Sequence, residues 1–229
     1  MEQKDMSWDT FTTIIDKLKD TSVIKLQGEG EPTLWKYWWE GVDYVYSRGH
    51  IPYSIINGSV VDIEKIIKYF KRISISLDSI DEETCKSIGR HNVKKVMQNI
   101  LLLKSHKQTV VDVQITNVGQ DLKSTLLWLK ENNIFYNINQ LSVKSDYVSV
   151  YPENKKIIFK VPDDKAKAIT CDFLNGNKNN PFYTIDGVEL PCCYIKEPQG
   201  FSREAALLSF KDKIVPNHCL GCKHIRKIK

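Results

Sequence analysis

Through the first 145 residues, short runs suited to β-strands alternate with stretches of helical spacing, and this limits the folds open to the chain. Strands are predicted at residues 23–26, 50–56, 73–78, 109–116 and 134–143. Ahead of the first, Ser7 can cap a helix whose apolar stripe is Trp8, Phe11, Ile14, Ile15 and Leu18. Residues 33–47 place Leu34, Tyr37, Trp38, Gly41, Val42 and Val45 on one helical face and Trp35, Trp39 and Tyr46 on a second. That predicts a helix packed on two sides, with its tryptophans in packing contacts and not on a ligand platform. Further helices follow from Ile63, Ile66, Ile67 and Phe70, from Val93, Val96, Met97, Ile100 and Leu101, and from Leu122, Leu126 and Leu129. Five strands with a helix between each successive pair imply an α/β fold with a parallel sheet and right-handed crossovers, either doubly wound or a partial barrel.

In both architectures the loops after the strands share one sheet edge, and ligands bind there. Gly28-Glu29-Gly30-Glu31-Pro32, Asn57-Gly58, Asp78-Ser79 and Asn117 all fall on that edge. Glycines at a strand end admit a ligand to the backbone, and the first segment carries two carboxylates beside them. One such turn reads equally well as a solvated β-to-α connection. Four on one rim describe a pocket of carboxylates and amides.

The last 80 residues change character. Hairpins are predicted around Pro152-Glu153-Asn154-Lys155 and around Asp186-Gly187, where Asp-Gly between strand formers marks a two-residue turn. The segment is β-rich and too short to be held by apolar burial alone. Five of the six cysteines lie in it: Cys171, Cys192, Cys193, Cys219 and Cys222. Cys219-Leu220-Gly221-Cys222 has the spacing that lets two thiolates grip one ion, and Cys171 and Cys192 bracket the Asp-Gly hairpin. Four sulfurs suffice for tetrahedral zinc or a [4Fe–4S] cluster. Cys193 is a buried thiol or a substitute ligand, His218 and His224 are solvated neighbours of the knuckle, and Cys85 is structural.

Charged residues at 27% and apolar residues at 41% indicate a globular protein. The net charge of +5 carries no basic cluster interleaved with aromatics, so nucleic acid is not an expected partner, and the 223–229 tail reads as solvated. No apolar stretch reaches the roughly 18 residues that span a bilayer, and the polar N-terminus has no signal-peptide pattern, so a cytoplasmic location is expected.

The two parts together resemble radical S-adenosylmethionine (SAM) enzymes with a C-terminal Twitch or SPASM-type auxiliary-cluster domain. Leu26-Gln27-Gly28-Glu29-Gly30-Glu31-Pro32-Thr33-Leu34 is similar to the family's second-strand Gly-Gly-Glu motif. Ile55-Ile56-Asn57-Gly58 is similar to its third-strand segment, and Ile73-Ser74-Ile75-Ser76-Leu77-Asp78 to its fourth strand. Gly89-Arg90 with Val93, Val96 and Asn99-Ile100 resembles the helix that follows, and Cys171, Gly187-x4-Cys192 and Cys219-x2-Cys222 resemble the opening pattern of the auxiliary domain. The resemblance implies a TIM-like partial (β/α) barrel over residues 1–146 and a metal-binding domain over 147–229. It implies SAM held by the Gly28 and Gly30 backbone and by Glu31, with Asn57, Ser76, Asp78 and Gln114 lining the pocket. An auxiliary [4Fe–4S] cluster, with zinc as the alternative, would sit on Cys171, Cys192, Cys219 and Cys222. The complete enzyme would abstract hydrogen from a peptide or small-molecule substrate, fed by a donor such as flavodoxin or ferredoxin. The family's Cys-x3-Cys-x2-Cys after the first strand is missing, since the only cysteine before Cys171 is Cys85. The expectation is either a chain beginning just downstream of that loop or a cluster-less relative serving as a peptide- or nucleotide-binding module. In neither case is this polypeptide expected to cleave SAM, and no catalytic residue is assigned.

Overall fold

The computed structural model describes residues 4–28, 30–140, 167–174, 181–193, 195, 199–219, 222 and 224–228. The chain divides into two compact units, Phe11–Leu141 and Met1–Thr10 with Ser142–Lys229.

The elements begin with α1 (Trp8–Asp16), whose residues from Phe11 on belong to the larger unit, and continue there with β1 (Val23–Lys25), α2 (Trp38–Ser47), β2 (Ile51–Tyr53), β3 (Ile55–Ile56), α3 (Ile63–Tyr69), β4 (Arg72–Ser76), α4 (Glu82–Ser87), α5 (Val93–Ser105), β5 (Val110–Asn117), α6 (Lys123–Glu131) and β6 (Phe135–Gln140). The Ser7 hydroxyl accepts from Thr10 N at 3.1 Å, as an N-cap should. All the strand pairs are parallel, with β1 on β2, β3 on β4, β4 on β5 and β5 on β6. The strand expected at 50–56 is split at Ser54, which hands the chain from one neighbour to the other. Its hydroxyl donates to the Leu26 carbonyl and its carbonyl accepts from Ser74 N at 3.0 Å. Strands therefore neighbour one another in chain order. A doubly wound sheet reverses its order at a switch point, so this is the progression of a partial barrel.

Side chains alternate across the sheet. Ile73, Ile75, Val111, Val113 and Ile115 bury against Val96, Ile100 and Leu103 of α5, and most of them are inaccessible to solvent. Each such burial contributes about 1.5–3 kcal/mol. The opposite face carries Ser74, Asp112 and Gln114.

The helix expected over 33–47 begins at Trp38. Pro32–Leu34 instead forms a separate 3-10 turn capped by Glu31, and Trp35 then turns extended. The Trp35 ring folds back against Phe11, with centroids 5.1 Å apart. It also covers Gly41, where an added Cβ would stand 2.7 Å from the ring. Trp38 is buried and stacks on Phe70, so these tryptophans pack as expected.

In the smaller unit, β7 (Ala168–Cys171) pairs antiparallel with β10 (Ile225–Ile228), and β8 (Phe182–Tyr183) with β9 (Glu189–Leu190). Three expectations are corrected here. The Asp186-Gly187 turn has three residues, not two: Gly187 N bonds Thr184 O at 3.0 Å, Thr184 N bonds Val188 O at 2.9 Å, and Gly187 takes the positive φ of 79° that such loops place last. The segment is not purely β-rich, because α7 (Arg203–Lys211) is capped by Ser202 and buries Ala206 and Phe210. Residues 225–228 are a paired strand and not a solvated tail, and Arg226 is ion-paired to Asp172 at 2.8 Å. The hairpin predicted around residues 152–155 lies outside the described residues. Among those described, no helix is long and apolar enough to cross a membrane.

Candidate functional site

Glu31 joins two strand ends. Its Oε1 accepts from Thr33 N at 3.3 Å and from the Thr33 hydroxyl at 2.7 Å, while Oε2 accepts from Asn57 N at 2.8 Å. A carboxylate has about four acceptor sites, so capacity remains for a further donor. Gly28 and Gly30 are exposed, and an added Cβ at either would meet no atom within 4 Å. Packing and backbone conformation therefore do not require glycine at these positions.

Asn57 opens the turn after β3. Its Oδ1 accepts from Ser59 N and the Ser59 hydroxyl, each at 2.9 Å, and the buried Asn99 amide of α5 holds the Gly58 carbonyl at 2.8 Å. Two strand ends then face one cleft of about 260 Å³, lined by Asn57, Ser59, Ser76, Asp78, Arg90 and Asn92 among others. Its volume is near the roughly 300 Å³ at which ligand pockets begin.

Asp78 fixes the far wall. It is buried, accepting from Arg90 Nε at 2.7 Å and from Thr116 N at 2.6 Å, so that the β4 and β5 ends are tied together. Gln120 reinforces the tie by donating to the Asp78 and Thr116 carbonyls, each at 2.9 Å. The terminal donors of Arg90 have no partner among the described residues, and its side chain is 42% exposed. Nearby, Asp81 caps α4 by accepting from Thr84 N, which holds its carboxyl below the usual range. Cys85 lines the cleft as a buried thiol that donates to the Ser79 carbonyl. Burial, then the neighbouring Asp78 charge, pushes its pKa up, so it stays protonated.

Of the residues expected to form one pocket, Asn57, Ser76 and Asp78 share this cleft and Glu31 reaches it through Asn57 N. Gln114 lies on the inner face of the sheet, where its amide donates to Asp112 at 2.7 Å and accepts from Asn139 at 3.0 Å. Asp112 also takes Arg72 Nε and the Ser74 hydroxyl, each at 2.7 Å, and the pair raises the pKa of Arg72. Sequence reasoning gave no cleft role to Ser59, Arg90, His91 or Asn92. The available signal was the glycine-led polar stretch Gly89-Arg90-His91-Asn92 between two helices on the ligand edge.

Cys85, Cys171 and Cys192 are buried thiols. Cys171 and Cys219 belong to one apolar cluster with Ile169, Phe210 and Ile225, and Cys222 packs against it. Cys222 N bonds the Cys219 carbonyl at 3.2 Å and Ile225 N bonds the Cys222 carbonyl at 3.4 Å, and Ile225 pairs in register with Cys171. Cys192 is buried but is not part of that cluster. Among the described residues, no three His, Cys, Asp or Glu side chains converge as ligands of one ion.

A parallel sheet wound in chain order, with polar turns along its C-terminal edge, defines a partial (β/α) barrel with a polar cleft at that edge. The model of the radical SAM superfamily matches residues 2–123, just over half of the sequence, and the chain belongs to that family. Among solved structures it is similar to Streptococcus suis SuiB, at 14% identity and a TM-score of 0.50, over 65% of this chain and 35% of that one. It is also similar to archaeal TYW1, at 20% identity and a TM-score of 0.42, over 51% and 42%. The chain thus spans 35% and 42% of their respective lengths. No curated protein matches it.

Proposed function

We propose that the cleft at the C-terminal edge of the sheet binds SAM and that residues 147–229 form an auxiliary domain carrying a [4Fe–4S] cluster. The observation that carries the first part is the convergence of Asn57, Ser76, Asp78 and Arg90 on one polar cleft in a chain of this family. Support also comes from the two glycines of the Gly28–Glu31 turn, which the fold does not require and which leave the backbone open to a ligand. On this reading Glu31 and the adjoining backbone receive the ammonium of SAM. Arg90, steadied by Asp78, supplies positive charge towards its carboxylate, and Asn57 and Ser76 offer hydrogen bonds to its polar remainder. In the family SAM supplies hydrogen-atom abstraction from a substrate, here a peptide or small molecule, with reduction by a donor such as flavodoxin or ferredoxin. The auxiliary cluster would rest on Cys171, Cys192, Cys219 and Cys222, three of which are already associated with one apolar cluster. A cytoplasmic location follows from the need to keep such thiols reduced.

The 229 residues contain no Cys-x3-Cys-x2-Cys, so this polypeptide is expected to bind SAM and return it intact. Anaerobic reconstitution tests both parts. Expected are about four iron and four sulfide per chain, retained SAM, and no 5′-deoxyadenosine. About one zinc and no chromophore would instead favour a non-catalytic binding module. Release of 5′-deoxyadenosine would overturn the assignment of this chain as non-cleaving.

A further inference from the structure

We infer that the small pocket shared by Thr33 and Trp38 binds one ordered water, and that through this water Trp38 is a positioning residue for Glu31. The water rests on the pocket alone, while its consequence for SAM rests on the reading of the cleft proposed above.

Trp38 Nε1 is the one buried side-chain nitrogen or oxygen without a hydrogen-bond partner among the described residues. The residue is only 5% exposed and its ring stacks on Phe70, so bulk solvent does not serve the N–H. A buried donor left unmet is a standing cost to the fold, and an indole N–H can only donate. Trp38 lines a pocket of about 10 Å³ together with Thr33, Trp39, Ile56 and Ile73 among others. That is the space of a single water. Of the side chains lining it, only Thr33 can accept a hydrogen bond, since the others are aliphatic or indole.

The protons can be followed through to Glu31. The Thr33 hydroxyl gives its one proton to Glu31 Oε1 at 2.7 Å, because a carboxylate can only accept, and it keeps lone pairs to offer. A water that takes the indole proton and gives one of its own to Thr33 satisfies both groups. Every bond from Trp38 to Glu31 then runs in one direction. The water's other hydrogen and lone pair are left to solvent, because Val60, 76% exposed, also lines the pocket and brings it to the surface. Glu31 Oε2 is already held by Asn57 N at 2.8 Å. Anchoring the Thr33 hydroxyl fixes Oε1 as well, and a chain of aligned bonds strengthens its last member. The carboxylate is thus presented to the ligand edge in one orientation.

The test replaces Trp38 with benzothienylalanine, which puts sulfur in place of the indole N–H and keeps the shape of the ring. For a bridged N–H the urea midpoint of the full chain is expected to fall. An N–H without a partner would instead make the sulfur-bearing chain more stable than the wild type. SAM affinity is expected to fall about threefold to tenfold, which a role in packing alone would not produce. A crystal structure of the wild-type chain is expected to show one water peak about 3 Å from both Trp38 Nε1 and Thr33 Oγ1. Thr33→Val, close in shape but unable to accept, is expected to lose the peak, and Thr33→Ser to keep it. The inference is overturned if no such peak is present, if the Trp38 N–H points instead onto the Trp39 ring, whose centroid is 6.0 Å away, or if the sulfur-bearing chain is the more stable one. Unchanged SAM affinity with the water in place overturns the positioning role. A wild-type chain that shows the water but binds no SAM overturns the reading of the cleft and upholds the water.

Discussion

Gly58→Ala is expected to destabilise the chain by about 3 kcal/mol and to disorganise the cleft at the same time. Two costs add at this position. Gly58 has φ of 74°, a left-handed conformation that costs an L-residue about 1–2 kcal/mol. A Cβ there would also stand 2.5 Å from Cγ2 of Ile75, which is fully buried and β-branched and so has no open rotamer to retreat into. Relief requires moving the turn, and the turn carries Asn57 and Ser59 on one side and the bond from Asn99 on the other. Gly49→Ala is the matched control, because Gly49 has φ of 79° with no atom within 4 Å of its added Cβ. Urea unfolding should show about 1 kcal/mol lost at Gly49 and clearly more at Gly58. Equal losses would mean that Ile75 yields and that the turn is not held as described.

Asp78→Ala is expected to cost about 3 kcal/mol and to weaken SAM binding about tenfold or more. Removing the carboxylate leaves the Thr116 N–H without its acceptor and frees Arg90 from its anchor. The loss stays below that of a fully buried ion pair because the Arg90 side chain is 42% exposed and water can take over part of the role. Asp78→Asn separates the two contributions. Its carbonyl oxygen can still accept from Thr116 N, so about half the stability should return. The amide offers Arg90 no charge, so the binding defect should persist. Binding restored along with stability would show that Asp78 acts only as a strut between β4 and β5.

What was legible in the sequence follows from the reach of each signal. Period-two and period-3.6 patterns depend on neighbours in the chain, so β1, β4, β5 and most helices fall where Ile73, Ile75, Val96 and Ile100 put them. The breaks were illegible because they are tertiary. Ser54 splits a strand only because Leu26 and Ser74 claim it from either side, and Trp35 leaves the helix because Phe11 and the bare Gly41 give its ring a seat. At the site, the edge rule for parallel sheets brought Asn57, Ser76 and Asp78 together in advance. Gln114 stands level with Ser76 yet lies outside the cleft, because its amide is taken by buried Asp112 and by Asn139, contacts that neither alternation nor register along the strand reveals. In the C-terminal part, the helical spacing of Ala206 and Phe210 was present but overshadowed by the cysteines, and the basic composition of residues 225–228 hid a strand that pairs with Cys171.

Hydrogen–deuterium exchange of the full chain with and without SAM tests the central claim most directly, because it reports both whether SAM binds and where. Protection is expected in three segments separated in the chain, residues 28–33, 57–59 and 76–92, which gain protection together if the β1, β3 and β4 ends share one ligand. Unchanged exchange in all three at saturating SAM, or protection confined to other parts of the chain, would contradict a SAM site at the sheet's C-terminal edge.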